Sequence, residues 1–421
     1  MYSSPFDDFP AELIDEILLF STAEPLVVPG PDQREGESSL PCLKKRSNPA
    51  VTLSHVCSAW RDRCLKLSQL WNGIYLDSAI CSQEATIQMI LDLLVNRHGD
   101  HLHLDVECQV TSVSITSILP VWKKILSTQI FPRCRSLRLR GTREEIQFCI
   151  DVLLASKPQS SFPLRGIELI WSGCPTVLTL SPHHQGKNGI LLGRTNTFNF
   201  SNLRFIRSNG LNLLSHDPQV PHNVEELVLT NTTGRECLDA IAKFQNVRKL
   251  TFRDVELHGQ TPEFDSEPLS RQIEYLELGL LVPRSLYPWG NEDAATFYVD
   301  ILLNVNLSKT LKTFKMGSMS QFGWVGWVVF SNFLSDSDAS FPHVKTLILD
   351  DICSRSEMAQ QDTSRLQRAF PNAEKLILNA TKYLEGYVMQ ECRSSGLVWW
   401  PSVREVQCGE LHWNRNFQNG I

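Results

Sequence analysis

The sequence lacks every short motif by which a hydrolase, kinase or nucleotide-binding enzyme announces its chemistry. It has no G-x-S-x-G elbow, no H-E-x-x-H pair and no phosphate loop, and no glycine-rich turn follows any candidate strand. Isolated serines and acids stand without an identifiable base, so neither a catalytic site nor a cofactor is expected. Excess charge is missing too. With 40 Lys+Arg against 46 Asp+Glu, the formal charge of -6 gives no broad positive field for nucleic acid or an anionic membrane. The strongest apolar run, "GWVGWVVFSNFL" from Gly323 to Leu334, is too short to span a bilayer and contains Ser331 and Asn332. The opening "MYSSPFDDFPAEL" has neither the basic flank nor the apolar core of a secretory signal, so a secreted protein is not expected.

Paired cysteines are also lacking. The 12 cysteines form no C-x-x-C, and Cys57, Cys64, Cys149 and Cys408 sit among apolar neighbours, where a reduced thiol behaves as a small hydrophobe. This usage fits a cytoplasmic or nuclear protein, and there the sequons at Asn199, Asn231, Asn306 and Asn379 read as chance. No metal is expected either. His101 and His103 of "RHGDHLHLD" alternate with Leu102 and Leu104, as solvent-facing positions of a strand do, and with His98 they have no cysteine or carboxylate cluster at ligand spacing. His183 and His184 fall in "SPHHQGKNG", a loop composition. The basic run Lys44 to Arg46 reads as solvated linker charge, with a nuclear signal as the alternative.

What the chain does have is repetition. At 421 residues it exceeds the size at which one core stops growing, so two domains or a repeat array are expected. The pattern Φ-x-x-Φ-x-Φ, with Φ apolar, recurs as "CRSLRL", "LRGIEL", "LRFIRS", "VEELVL", "VRKLTF", "IEYLEL", "LKTFKM", "VKTLIL", "AEKLIL" and "VREVQC". Its middle anchors are Leu137, Ile167, Ile206, Leu227, Leu250, Leu276, Phe314, Leu347, Leu376 and Val406, 21 to 39 residues apart. Several copies follow an aromatic and a proline, as in "FPHVKTLILDD" from Phe341, "FPNAEKLILNA" from Phe370 and "WPSVREV" from Trp400. Proline cannot donate to a ladder, so this phrase marks strand entry. Between copies lie segments with helical periodicity, such as "REEIQFCIDVLLAS", "GRECLDAIAKF", "DAATFYVDILLNVN" and "SRLQRAF". Strand and helix alternating at this spacing predict an α/β solenoid, with parallel strands on one face and helices on the other. A doubly wound α/β enzyme alternates likewise, but it carries its signature in the loops, and here the repeated residues are in the strands.

Ahead of the array, "DDFPAELIDEILLFS" places Leu13, Ile14, Ile17 and Leu18 on one face of a short helix, with Pro10 near its first turn. Residues 24–50, rich in proline and polar side chains, predict a flexible insert. "VTLSHVCSAWRDRCLKLSQLW" then sets Val56 and Trp60 at helical intervals. This head resembles the F-box, the helical module that docks on the Skp-type adaptor of cullin ubiquitin ligases. It is most similar to forms abundant in mushroom-forming fungi, through "FPAELIDEIL", "SHVCSAWR" and the trailing "LW". The array resembles the irregular leucine-rich repeats of F-box-associated domains.

The resemblance implies a module over 6–76 and a repeat domain over 77–421. It also implies a substrate-receptor subunit that performs no chemistry itself. Adaptor contacts would come from Phe9, Pro10, Leu13, Ile14, Ile17, Leu18, Val56 and Trp60, and a cullin would join through the adaptor. The alternative is a non-ligase interaction scaffold with a vestigial F-box. The residue between the last two apolar positions of each repeat points away from the core. This makes Arg138, Glu168, Arg207, Val228, Thr251, Glu277, Lys315, Ile348, Ile377 and Gln407 a recognition strip for an unidentified target protein. Trp171 joins it as a candidate exposed anchor. Ile348 and Ile377 read either as an apolar anchor or as packing under a C-terminal cap. Trp324, Trp327, Trp399 and Trp400 read as core.

Overall fold

The structure is a computed structural model. It describes residues 10–22, 53, 56–67, 70, 73–76, 102–107, 134–155, 164–171, 189–191, 202–214, 223–257, 272–279, 281–283, 301, 309–317, 340–350, 365–379, 390, 392–393 and 400–415. The insert, Phe9, Trp324, Trp327, Trp399 and His98, His101, His183 and His184 lie outside them. The protein is mixed α/β and divides into two compact units, Met1–Gly173 with Gly193–Leu203, and Cys174–Leu192 with Arg204–Ile421.

In the first unit, α1 (Ala11–Thr22) starts where the sequence predicts. The Pro10 carbonyl accepts from the N–H groups of Leu13 (3.1 Å) and Ile14 (3.3 Å), and Glu12 lies in the first turn beside the positive helix end. Helix α2 (Ser58–Lys66) is capped by an unusual acceptor. The Cys57 sulfur takes the Trp60 N–H at 3.4 Å, and Arg63 and Lys66 oppose the negative C-terminal end. Strands β1 (Gly73–Leu76), β2 (Leu102–Glu107), β3 (Cys134–Gly141) and β4 (Gly166–Trp171) follow, parallel and adjacent in that order. Ile74, Leu104, Leu137 and Ile167 are register partners across the ladder. Between β3 and β4 runs α3 (Arg143–Ala155), packed on β3. Its start is fixed by a reciprocal pair: Thr142 N–H to Glu145 Oε2 at 2.8 Å and Glu145 N–H to Thr142 Oγ1 at 3.4 Å. Ile146, Cys149 and Ile150, one face of its predicted period, are buried.

In the second unit the parallel run is β6 (Phe205–Asn209), β8 (Glu226–Thr233), β9 (Lys249–Leu257), β10 (Tyr275–Leu278), β12 (Thr313–Met316), β13 (Thr346–Asp350), β14 (Lys375–Asn379) and β15 (Glu405–Cys408). Every predicted anchor is opposite the next: Ile206, Leu227, Leu250, Leu276, Phe314, Leu347, Leu376 and Val406 form one continuous row. All eight are buried. A one-residue slip at any step would turn a whole apolar set outward, so the repeated spelling fixes the register. Helix α4 (Gly234–Lys243) packs on β8 and β9 with Cys237, Ala240 and Ile241 buried, and its capping box joins Thr233 and Glu236. Burial also pushes the Cys237 thiol well up.

Three neighbouring strands, β6, β8 and β9, turn a corner at the same position. Gly210 (φ 75°), Asn231 (φ 51°) and Asp254 (φ 51°) each sit four residues past their anchor in the left-handed region, which glycine, asparagine and aspartate tolerate best. Asn231 Nδ2 donates to Asn209 Oδ1 at 2.6 Å and so ties two corners together. Past the corner the chain pairs again: Thr232 and Val255 align, β11 (Leu281–Pro283) adds to β9, and β5 (Gly189–Leu191) pairs with β7 (Asn212–Leu214).

The aromatic-proline phrase is a turn as well as a strand entry. The carbonyls of Phe341, Phe370 and Trp400 each accept the N–H three residues on, from Val344, Ala373 and Val403, at 3.2 Å. Proline thus occupies the second turn position, where its fixed φ fits. The aromatics are buried, with Phe341 and Phe370 stacked at 5.1 Å and Phe314 and Phe370 at 5.7 Å. The array ends in an antiparallel hairpin. Gly409 (φ 58°) leads into β16 (Leu411–Asn414), and its buried Trp413 aligns with Val406.

Candidate functional site

The recognition strip is in register but is not the open surface expected. In the first unit Arg138 and Glu168 are directly opposite and joined, Nε to Oε2 at 2.6 Å, both half-buried. Trp171 closes β4 half-buried opposite Gly141. In the second unit Arg207, Ile377 and Gln407 are half-buried, whereas Val228, Thr251, Glu277, Lys315 and Ile348 are buried. Alternation gives the side on which a residue points; exposure on that side depends on what its neighbours reach over, and here they reach far.

The reason is an ion-pair cluster spanning four strands. Glu277 on β10 receives Arg253 of β9 (Nε to Oε1 3.0 Å, Nη2 to Oε1 2.9 Å), Lys315 of β12 (Nζ to Oε1 3.4 Å) and the Tyr275 hydroxyl (2.9 Å to Oε2). Lys315 also meets Asp350 Oδ2 of β13 at 3.2 Å. Burial pushes the Glu277 carboxyl up, but the charges of Arg253 and Lys315 with the Tyr275 hydroxyl outweigh it and hold it below the usual range. Tyr275 moves the other way, raised by burial and then by the Glu277 charge. Two cations and two carboxylates close the cluster as a neutral group. The two glycines beside it explain its shape. A Cβ on Gly279 would stand 2.9 Å from the Arg253 Cγ, and one on Gly317 would stand 2.6 Å from the Gly279 Cα. Arg253 can fold across to Glu277 because position 279 is bare.

A second feature escaped the sequence reading. The first variable position of the motif carries Arg204, Glu225, Arg248, Glu274, Lys312, Lys345, Glu374 and Arg404, strand after strand. Backbone bonds run along the same row, as from the Glu225 N–H to the Arg204 carbonyl and from the Glu274 N–H to the Arg248 carbonyl. Opposite charges meet between Arg204 and Glu225 (3.5 Å), Glu274 and Lys312 (2.7 Å), and Lys345 and Glu374 (2.7 Å). Hydrogen bonds from Lys312 and Lys345 hold the Glu274 and Glu374 carboxyls below the usual range. The signal was the change of sign at one motif position, visible only after alignment. These pairs are exposed and screened, so they favour register more than stability.

The helical head presents a different surface. Leu13 and Ile17 of α1 are 44% and 43% exposed, and Val56 just before α2 is 57% exposed. Pro10 is exposed, Ile14 and Trp60 are half-buried, and Leu18 is wholly buried. Leu18 therefore belongs to the inner face of α1 and not to the surface assigned to it from the sequence; its four-residue relation to Ile14 placed it on a broad stripe that the fold splits in two. Asp15 and Arg63 link α1 to α2 by two bonds, Nε to Oδ1 at 2.5 Å and Nη2 to Oδ2 at 2.8 Å.

No cluster able to hold a metal occurs among the described residues, and no described helix is long and apolar enough to cross a membrane. The chain matches no protein-family model and no curated protein.

Proposed function

We propose that the protein is the substrate-receptor subunit of a Skp/cullin/F-box ubiquitin ligase. The head would dock on a Skp-type adaptor through α1 and the start of α2, and a leucine-rich-repeat-like array would hold the target. The observation that carries this reading is the exposure of Leu13 and Ile17 on one side of α1 and of Val56 just before α2. Three large aliphatic side chains stay in water on a short helical module, as a face that fills a partner's groove does. The parallel ladder supports the other half, since strand positions held in register give a spaced array of variable side chains. The receptor performs no chemistry; it raises the effective concentration of a target lysine near a conjugating enzyme carried by other subunits. Target contacts fall to the half-buried members of the strip, Arg138, Glu168, Arg207, Ile377 and Gln407, with Trp171, because Thr251, Glu277, Lys315 and Ile348 are engaged within the fold.

Co-purification of the full chain with a Skp-type adaptor tests the reading. Leu13→Asp with Ile17→Asp is expected to weaken capture on the order of a hundredfold, from the apolar area lost, while the unfolding midpoint stays put because both residues are exposed. A wild-type chain that never captures the adaptor overturns the reading and leaves the non-ligase scaffold in its place.

A further inference from the structure

We infer that the Asp15–Arg63 pair is a positioning device that sets the rotation of α1 and thereby aims the docking face; this rests on the reading of that face given above. The two residues are 48 apart in sequence, on opposite sides of the insert, yet they meet in a two-pronged fork, Arg63 donating from Nε and Nη2 to the two Asp15 carboxylate oxygens. On a helix turning about 100° per residue, Leu13 and Ile17 point almost the same way and Asp15 points away from both. Asp15 shares its half of the helix with Leu18, which is wholly buried, whereas Leu13 and Ile17 are 44% and 43% exposed. The inner half of α1 thus carries a buried apolar side chain, Leu18, and a directional contact, Asp15 to Arg63. Leu18 alone would tolerate rolling of a 12-residue helix about its axis. The fork does not, because two parallel hydrogen bonds are satisfied only over a narrow range of orientation. Val56 lies two residues before α2, so fixing α1 against α2 also fixes Leu13 and Ile17 against Val56.

Residue type bears this out: a lysine at 63 would supply a point charge without the planar fork. The pair is partly exposed, with 34% and 26% of its side chains accessible, so it adds modestly to stability and its effect falls on geometry.

The test uses the full chain and a Skp-type adaptor, measured by calorimetry, with Asp15→Asn, Arg63→Lys and the exchanged pair Asp15→Arg with Arg63→Asp. The single variants are expected to bind roughly fivefold more weakly at a temperature where all are fully folded, and the exchanged pair to recover most of the loss. The loss should shrink at high salt, where the wild-type pair is itself weakened. Single variants that bind like wild type, or that lose binding only in proportion to a lowered unfolding midpoint, overturn the positioning role. Failure of the wild-type chain to bind instead overturns the docking reading on which it rests.

Discussion

Lys315 shows what a single position decides. It stands where the motif points outward, yet its side chain is 5% exposed, with the ammonium between Glu277 and Asp350. Removing one partner from a buried charge group leaves the other charges uncompensated, so Lys315→Ala should cost about 3–5 kcal/mol in denaturant unfolding. Glu277 gives a pH dependence. Its carboxyl is held below the usual range by Arg253, Lys315 and Tyr275 against the cost of burial. A depressed folded value means that the contribution is complete above the unfolded value of about 4.3 and lost as pH falls through the folded one. The wild type should therefore lose stability below about pH 4 more steeply than Glu277→Gln, and identical acid-unfolding curves would contradict the cluster. The aliphatic anchors were legible in the sequence because burial at a strand position follows from alternation. The cluster was not, because Arg253 and Glu277 lie 24 residues apart and meet only when β9 and β10 pair.

At the scale of the element, Gly279 and Gly317 set how closely β9, β10 and β12 approach. A methyl group on Gly317 would stand 2.6 Å from the Gly279 Cα, whereas one on Gly279 would stand 2.9 Å from both the Phe252 carbonyl oxygen and the Arg253 Cγ, a less severe overlap. Gly317→Ala should then destabilise by about 1–3 kcal/mol and Gly279→Ala by less, a ranking that thermal unfolding reads directly. The aromatic-proline phrases were legible as strand entries, since proline excludes itself from a ladder. That their carbonyls close turns follows only from the folded chain, as do the corners at Asn231 and Asp254, where a tolerated left-handed residue becomes a required one only when three strands bend together. The stripe on α1 was legible as a helix face but not as two faces. Leu13 and Leu18 stand about 140° apart at the two edges of one broad apolar stripe, and packing decides which edge is buried.

At the scale of the whole molecule, the described strands match a large share of their charge among themselves. Charged residues at the strip and along its entry row pair mainly with neighbouring strands. Leu13, Ile17 and Val56 of the head are exposed instead, and the proposed docking turns on them. Hydrogen exchange of the full chain, with and without a Skp-type adaptor, tests it most directly. The account predicts added protection over 11–18 and 56–61, with the strands β6 to β15 unchanged. An adaptor that leaves those two segments exchanging at their original rates, or that protects the sheet instead, would contradict it.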